Sequence, residues 1–346
     1  MRCLNLFHGL CTSSRVLSVA AGALATVASL AASSQAGTIT FGSGAGNTFD
    51  MTFVTIGNPG NAPDTTGAPN PAGSVGYTYD IGKFEVSRDM ITKFNASQAL
   101  QISLFDMTSF GGNGANKPAT GISWNEAARF VNWLNTSTGN QAAYKFTTSG
   151  VNDNIALWAS GDAGYDASNP YRNSLAKYVL PSYNEWYKAA YYNPTNSTYY
   201  NFPNGSNTAP TAVASGTTAG TAVYGQSQSL AQSPADVDQA GGLSPYGVMG
   251  LGGNVWEWEE SSFDLLNSSS SSSRGFRGGG WSNVSGILSS SSRYDVGVPS
   301  VELFYSGFRV ASLSSSAPPA VPEPSMMVIG TLFGLGGLMA KRRMKK

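Results

Sequence analysis

The chain has 346 residues, 41% hydrophobic and only 12% charged, with 20 basic and 20 acidic residues and a formal net charge of zero. This length and apolar content support one large packed domain or two modest ones and exclude a wholly disordered chain. The absence of basic clusters ahead of the last few residues argues against nucleic acid or an anionic lipid surface as a partner.

Arg2 and Arg15 precede an apolar run, Val16 to Ala32, and small residues ending in Ser34-Gln35-Ala36. This is the pattern of a secretory signal peptide over residues 1–36, cleaved after Ala36; a retained membrane anchor is the alternative. Cys3, His8 and Cys11 all fall inside it, so residues 37–320 hold neither cysteine nor histidine. Disulfides, thiolate or imidazole metal sites, Ser-His-Asp triads and thiol nucleophiles are therefore excluded from the mature chain, and no copper, iron or zinc is expected. Without the leader and the tail, 13 basic residues face 19 acidic ones, a net charge of about −6.

Alternating polar and apolar residues predict strands in TITFGSG (38–44) and MTFVTIGNPGNAPD (51–64), separated by turns, and again in GYTYDIGKFEV (76–86). Ser87 is placed to cap a helix through Met90, Ile91 and Phe94. The clearest helix is SWNEAARFVNWLN (123–135): Ser123 and Glu126 form a capping box, and Ala127, Phe130, Val131 and Leu134 share one stripe. PSYNEWYKAAYY (181–192) repeats the device with Ser182 and Glu185.

From Asn193 to Tyr246 the chain is mostly Gly, Ser, Thr, Asn and Pro, which predicts long irregular loops. Asp236 and Asp238 there suit either an oxygen-ligand calcium site or solvated loop charge. Tyr191, Tyr192, Tyr199, Tyr200 and Phe202 are placed either to stack on sugars or to fill the interior. Ser268 to Ser273 reads as a flexible hairpin tip, because polyserine buries nothing; Ser289 to Ser292 is a second serine run. No segment of 20 to 50 residues repeats, which argues against a solenoid or propeller.

In GGNVWEW (252–258), Trp256 and Trp258 lie at i and i+2 of a strand and share a face, while Glu257 points the other way. In RGFRGGGWS (274–282), Gly278 and Gly279 allow close backbone approach, and Arg277 and Arg309 are candidates to clamp Glu257 or Glu259. Asn254, Trp281 and Arg293 belong to the same frame, which needs no catalytic role to explain it.

A short linker (314–320) precedes Val321 to Lys346, in which Pro322-Glu323-Pro324 is followed by 15 apolar residues, Met326 to Ala340, and five basic ones. The apolar stretch spans a bilayer only marginally, and the basic end would stay on the cytoplasmic side. This order resembles the PEP-CTERM sorting signal of Gram-negative bacteria, which implies an exosortase-type processing protease as partner, transient residence in the inner membrane, and a final place at the cell surface or outside the cell. An ordinary C-terminal anchor is the alternative.

Six stretches occur in order: YDIGKFEVS (79–87), KPATGISWNEAARFVNWLN (117–135), LPSYNEWYKAAYY (180–192), GGNVWEW, RGFRGGGWS and SGFRVAS (306–312). Together they resemble the formylglycine-generating enzyme, or sulfatase-modifying factor, family over about residues 41–313. The resemblance implies an α+β, C-type-lectin-like, loop-rich fold in a single domain spanning 37–313, with calcium ordering its loops. One family calcium site maps to Gly253, Val255 and Glu257; its remaining side-chain ligand would stand at Gly250, where there is no side chain. Active members hold copper on two cysteines, whose positions map to Asn283 and Leu288, and a second branch holds iron on histidines. Neither ligand set is present here.

Three functions follow as expectations. The first is an exported binding or structural module, directed at exopolysaccharide, another glycan or an envelope protein. The second is an enzyme using carboxylates such as Glu257, Glu259 and Glu260, which otherwise read as solvated charge or ion ligands. The third is a formylglycine-type activity with partner-supplied metal ligands.

Overall fold

A computed structural model of the protein describes residues 37–227, 233–295 and 297–313. The segments read from the sequence as a leader, a linker and a sorting tail with Pro322, Glu323 and Pro324 lie outside the described residues. Strands β1 (Gly37–Gly42) and β2 (Thr48–Ile56) form an antiparallel hairpin in which Gly37 faces Phe53 and Gly42 faces Thr48. Along β2 the period of two puts Phe49, Met51 and Phe53 into the core, with Thr48 and Asp50 at the surface.

β3 (Tyr79–Gly82) pairs with β2. It is shorter than the sequence pattern suggests: after Gly82 the chain turns inward, and Glu85 and Val86 are buried. Helix α1 (Arg88–Ala96) follows, capped by Ser87, whose Oγ accepts from the Met90 amide at 3.4 Å. Helix α2 (Trp124–Ser137) and, after the two-residue β4 (Tyr178–Val179), helix α3 (Tyr183–Tyr191) both carry complete capping boxes, on Ser123 with Glu126 and Ser182 with Glu185. The predicted stripe of α2 is fully buried against rings from the first hairpin, with Phe130 and Trp133 6.1 and 5.9 Å from Phe49.

The segment expected to be irregular contains four short strands: β5 (Tyr192–Asn193) with β6 (Thr198–Tyr199), and β7 (Thr211–Val213) parallel to β8 (Thr221–Val223). Pairs this short rest on backbone hydrogen bonds and turns, so Gly/Ser/Thr-rich sequence gives no apolar period by which to find them.

β9 (Trp256–Ser262) is buried along its whole length. It is flanked by β10 (Arg274–Arg277), which pairs in turn with β11 (Tyr294–Asp295), and on its other edge by β12 (Ser306–Gly307), which runs parallel to it. The last strand, β13 (Ala311–Leu313), returns to the first sheet and gives it the order β1-β2-β3-β13-β4. Residues 308–310 thus carry the chain from one sheet to the other. The result is a sheet-rich α+β domain with few helices. Among the described residues, no helix is long and apolar enough to cross a membrane.

Candidate functional site

The strand β9 organises the buried polar centre of the molecule. Trp256 and Trp258 face one side, where Trp258 and Phe276 lie 3.8 Å apart by ring centroids. Glu257 faces the other. Its carboxylate accepts two bonds from Arg309, Nε to Oε2 at 2.6 Å and Nη2 to Oε1 at 2.5 Å, and a third from Trp186 Nε1 at 2.7 Å. Arg309 also donates to the carbonyls of Gly82 and Met249, both at 2.9 Å, so one side chain from the crossover segment ties β3 to β9.

Glu259 is held between two guanidinium groups, Arg277 at 2.5 Å and Arg293 at 2.7 Å. Glu260 accepts from Arg172 Nε at 2.7 Å, Tyr144 at 2.8 Å and Asn169 at 2.5 Å. Arg172 in turn reaches both oxygens of Glu185, at 2.9 and 2.8 Å, and the Leu180 carbonyl. Burial pushes the Glu185 carboxyl up, but the Arg172 charge together with hydrogen bonds from Arg172, Tyr77 and the Ser182 amide holds the group down at about 2. The three glutamates of β9 are therefore neither solvated charge nor free acids facing a cleft: each is fully buried against arginine, Glu257 on Arg309, Glu259 on Arg277 and Arg293, and Glu260 on Arg172, which it shares with Glu185. The two-point, charge-assisted pairing of Arg309 with Glu257 and of Arg172 with Glu185 fixes geometry as well as contributing energy.

Among the described residues, Arg274 has no carboxylate partner within salt-bridge distance. Its guanidinium lies over Trp124 and Tyr171, 4.4 and 4.0 Å from the ring centroids, and burial lowers its pKa to about 10. It donates to the carbonyls of Ser270 and Ser272, while Tyr171 donates to that of Ser269 at 2.7 Å. The serine tip between β9 and β10 is gripped through its carbonyls, which polyserine offers as well as any sequence does.

Around the glycine-rich turn, Trp281 is fully buried in a second, smaller core with Met107, Val223, Ala235 and Val255. Its Nε1 has no hydrogen-bond partner. Asn283 Oδ1 accepts from the Gly280 amide at 2.7 Å, and its carbonyl accepts from Gly225. Leu288 is fully buried, and its carbonyl accepts from Tyr191. Both Gly278 and Gly279 have positive φ, 90° and 74°.

Gly253 also has positive φ, 87°, and a Cβ there would overlap the Val223 carbonyl oxygen. Asn254 follows at φ 60° and bridges outward, with Oδ1 accepting from the Ala235 amide and Nδ2 donating to Glu85 Oε1 at 2.9 Å. The other oxygen of Glu85, Oε2, is buried without a hydrogen-bond partner among the described residues. Burial, with Glu257 nearby, lifts this carboxyl to about 8 against the opposing pull of Arg309. A Cβ on Gly250 would lie 2.6 and 2.7 Å from the two Glu85 oxygens.

The tyrosines weighed as sugar platforms are largely interior. Tyr191 and Tyr192 are 0% and 4% exposed, and Tyr191 and Tyr199 pack on Tyr187 and Tyr192 respectively. Asp236 sits 3.5 Å from Lys117, and Asp238 is exposed. Among the described residues, no three acidic side chains converge as a metal cluster.

The model of the family described as "Sulfatase-modifying factor enzyme 1-like domain" matches residues 35–313. The chain belongs to that family. No curated protein matches it. Among solved structures it is similar to Treponema denticola variable protein 1, at 18% identity and a TM-score of 0.52, over 80% of this chain and 98% of that one. It also matches CarF (19% identity, TM-score 0.49, 76% and 98% covered) and PvdO from Pseudomonas aeruginosa (15%, 0.43, 80% and 98%). At these identities the likeness is one of fold.

Within the sulfatase-modifying factor frame, the two positions that mapped to family cysteines do structural work: one closes a turn, the other is core. At the mapped calcium position the space beside Gly250 is filled by the Glu85 carboxylate, and both oxygens of Glu257 are bonded to Arg309. Sequence reading missed Glu85 and Arg172. The one legible sign of Glu85 was a lone acid between the apolar Phe84 and Val86; Arg172 stands in polar sequence that gives no sign of burial.

Proposed function

We propose that this member of the sulfatase-modifying factor family is an exported, surface-directed binding or structural module that does not oxidise cysteine. The observation that carries this reading is the fate of the two cysteine-equivalent positions. A side chain that caps the 280–283 turn and a fully buried leucine cannot ligate copper, and residues 37–320 contain no thiol or imidazole to substitute for them. The β9 glutamates, all fully buried against arginine, with Glu260 sharing Arg172 with Glu185, supply no accessible acid and base pair for a different hydrolytic reaction. Support for a binding role comes from the rings beside Trp281: Phe110 and Phe304 stack at 5.0 Å, with Phe105 next to them and 40% exposed. The partner is a glycan, an exopolysaccharide or an envelope protein, reached after export by the leader and sorting by the PEP-CTERM-like tail. Calcium, where bound, orders the loops and takes part in no reaction.

The test is direct. The purified protein is incubated with Cu(I) and a cysteine-containing sulfatase-type peptide, and aldehyde is measured by mass spectrometry; in parallel, its retention on exopolysaccharide from the source envelope is measured. Retention without aldehyde is expected. Aldehyde above the copper-only blank overturns the reading.

A further inference from the structure

Asp106 and Arg88 carry opposite charges that are anchored near each other without pairing. Asp106 is exposed, and its Oδ1 accepts from the Thr108 amide at 3.0 Å, the Thr108 hydroxyl at 2.6 Å and Asn113 Nδ2 at 2.7 Å. These bonds fix the carboxylate and hold it down at about 2, so it stays charged, while Oδ2 accepts nothing from the described residues. Arg88 is 8% exposed, and its Nη1 donates to the Phe105 carbonyl at 3.0 Å. Burial lowers its pKa and the Asp106 charge opposes that, yet among the described residues no carboxylate lies within salt-bridge distance of it. A fixed acceptor and a fixed donor fork therefore both adjoin Phe105.

Phe105 is one of three rings at the surface. It lies 5.7 Å from Phe304, which stacks on Phe110 at 5.0 Å and 18°. The fully buried Trp281 backs both from the interior, 6.2 Å from Phe110 and 6.0 Å from Phe304. Phe105 is exposed and the other two are half-buried, so the group is a surface and not a core.

The charges decide which ligand suits these rings. An anion is opposed by Asp106 and a cation by Arg88. An apolar protein surface laid over the rings would strip water from both charges and give neither a partner, which is costly. A neutral pyranose has an apolar C–H face and neighbouring hydroxyls that each donate and accept. Its face can lie on Phe105 while one hydroxyl donates to Asp106 Oδ2 and another accepts from Arg88.

We propose that Phe105, Phe110 and Phe304, with Asp106 and Arg88 beside them, form a saccharide site for neutral pyranose units. This rests on the binding role proposed above and narrows its partner to one chemical class.

The experiment measures retention of the intact protein on immobilised dextran, galactomannan and, as the anionic case, alginate, with thermal melts alongside. The proteins are the wild type, Phe105→Ala, Asp106→Asn and the control Leu266→Ala, an exposed side chain between β9 and β10. Wild type and control should be held by at least one neutral polymer and not by alginate, and F105A and D106N should bind about tenfold more weakly or worse. Their melting temperatures should match wild type, since position 105 is exposed and the amide of D106N keeps an oxygen for the loop to bond; this separates lost recognition from lost folding. Equal retention of all four proteins overturns the site and leaves the binding role standing. Retention by alginate alone overturns the argument from charge. No retention of the wild type on any of the three overturns this proposal, while retention on the source exopolysaccharide tests the binding role separately.

Discussion

Replacing Arg172 by methionine is the sharpest perturbation of the buried network. The guanidinium contacts Glu260 at 2.7 Å and both oxygens of Glu185 at 2.8 and 2.9 Å, and all three residues are at most 8% exposed. Methionine fills similar volume but leaves two carboxylates and the Leu180 carbonyl without their donor. Removing one partner of a single buried pair costs about 3–5 kcal/mol, and here two acids are stranded together, so R172M should lose at least that much. Against a total stability of about 5–15 kcal/mol, this moves the urea midpoint far enough to be read from tryptophan fluorescence, with Trp186 and Trp258 fully buried as reporters. The triple variant R172M/E185Q/E260Q removes the stranded charges as well and should recover most of the loss. A loss below about 1 kcal/mol in R172M, or no recovery in the triple variant, would refute the charge-pairing argument.

Three further outcomes are expected. Leu288→Ala should cost about 2–5 kcal/mol in the same assay, as for a core leucine; an effect within about 0.5 kcal/mol would place position 288 outside the core. Gly253→Ala should destabilise by more than about 1–2 kcal/mol, because both its left-handed φ of 87° and the Val223 carbonyl oppose a Cβ, and unchanged stability would contradict that geometry. Glu126 is buried in the α2 capping box, and burial raises its carboxyl from 4.5 to about 7. Since the folded value lies above the unfolded one, its contribution is fully present below pH 4.5 and is lost as pH rises through 7. E126Q keeps the cap and should therefore gain stability relative to wild type across that window, by up to about 3 kcal/mol, with no gain at pH 4; a flat difference would refute the shift.

How legible the molecule was depended on how local the cause is. The capping boxes at Ser123 and Ser182 are signals four residues long, and their helices begin where those signals stand. The α2 stripe and the alternation in β2 are likewise set by the period of one element. The ion pairs of β9 are different in kind. Glu257, Glu259 and Glu260 lie within four residues of one another, yet their arginines come from positions 309, 277 with 293, and 172. The candidate clamp of Glu257 or Glu259 by Arg277 and Arg309 is found as Arg309 on Glu257 and Arg277 on Glu259, whereas nothing along the chain assigns Arg293 to Glu259 or Arg172 to Glu260. Glu85 and Gly250 meet only after the first sheet and the β9 segment have packed, so their contact has no signal in the sequence. The aromatic residues from Tyr191 to Phe202 left sugar stacking and interior packing both open, because sequence shows that rings are present and not which way they face; Tyr191 and Tyr192 pack in the interior.

At the two positions where the family holds copper, a turn hydrogen bond on Asn283 and core packing of Leu288 stand in place of soft ligands. Competition of the purified protein with a chromophoric Cu(I) chelator measures the consequence: the chelator should keep all of its copper at any protein concentration. Withdrawal of one equivalent of Cu(I) per chain would contradict it, since neither Asn283 nor Leu288 offers a soft ligand.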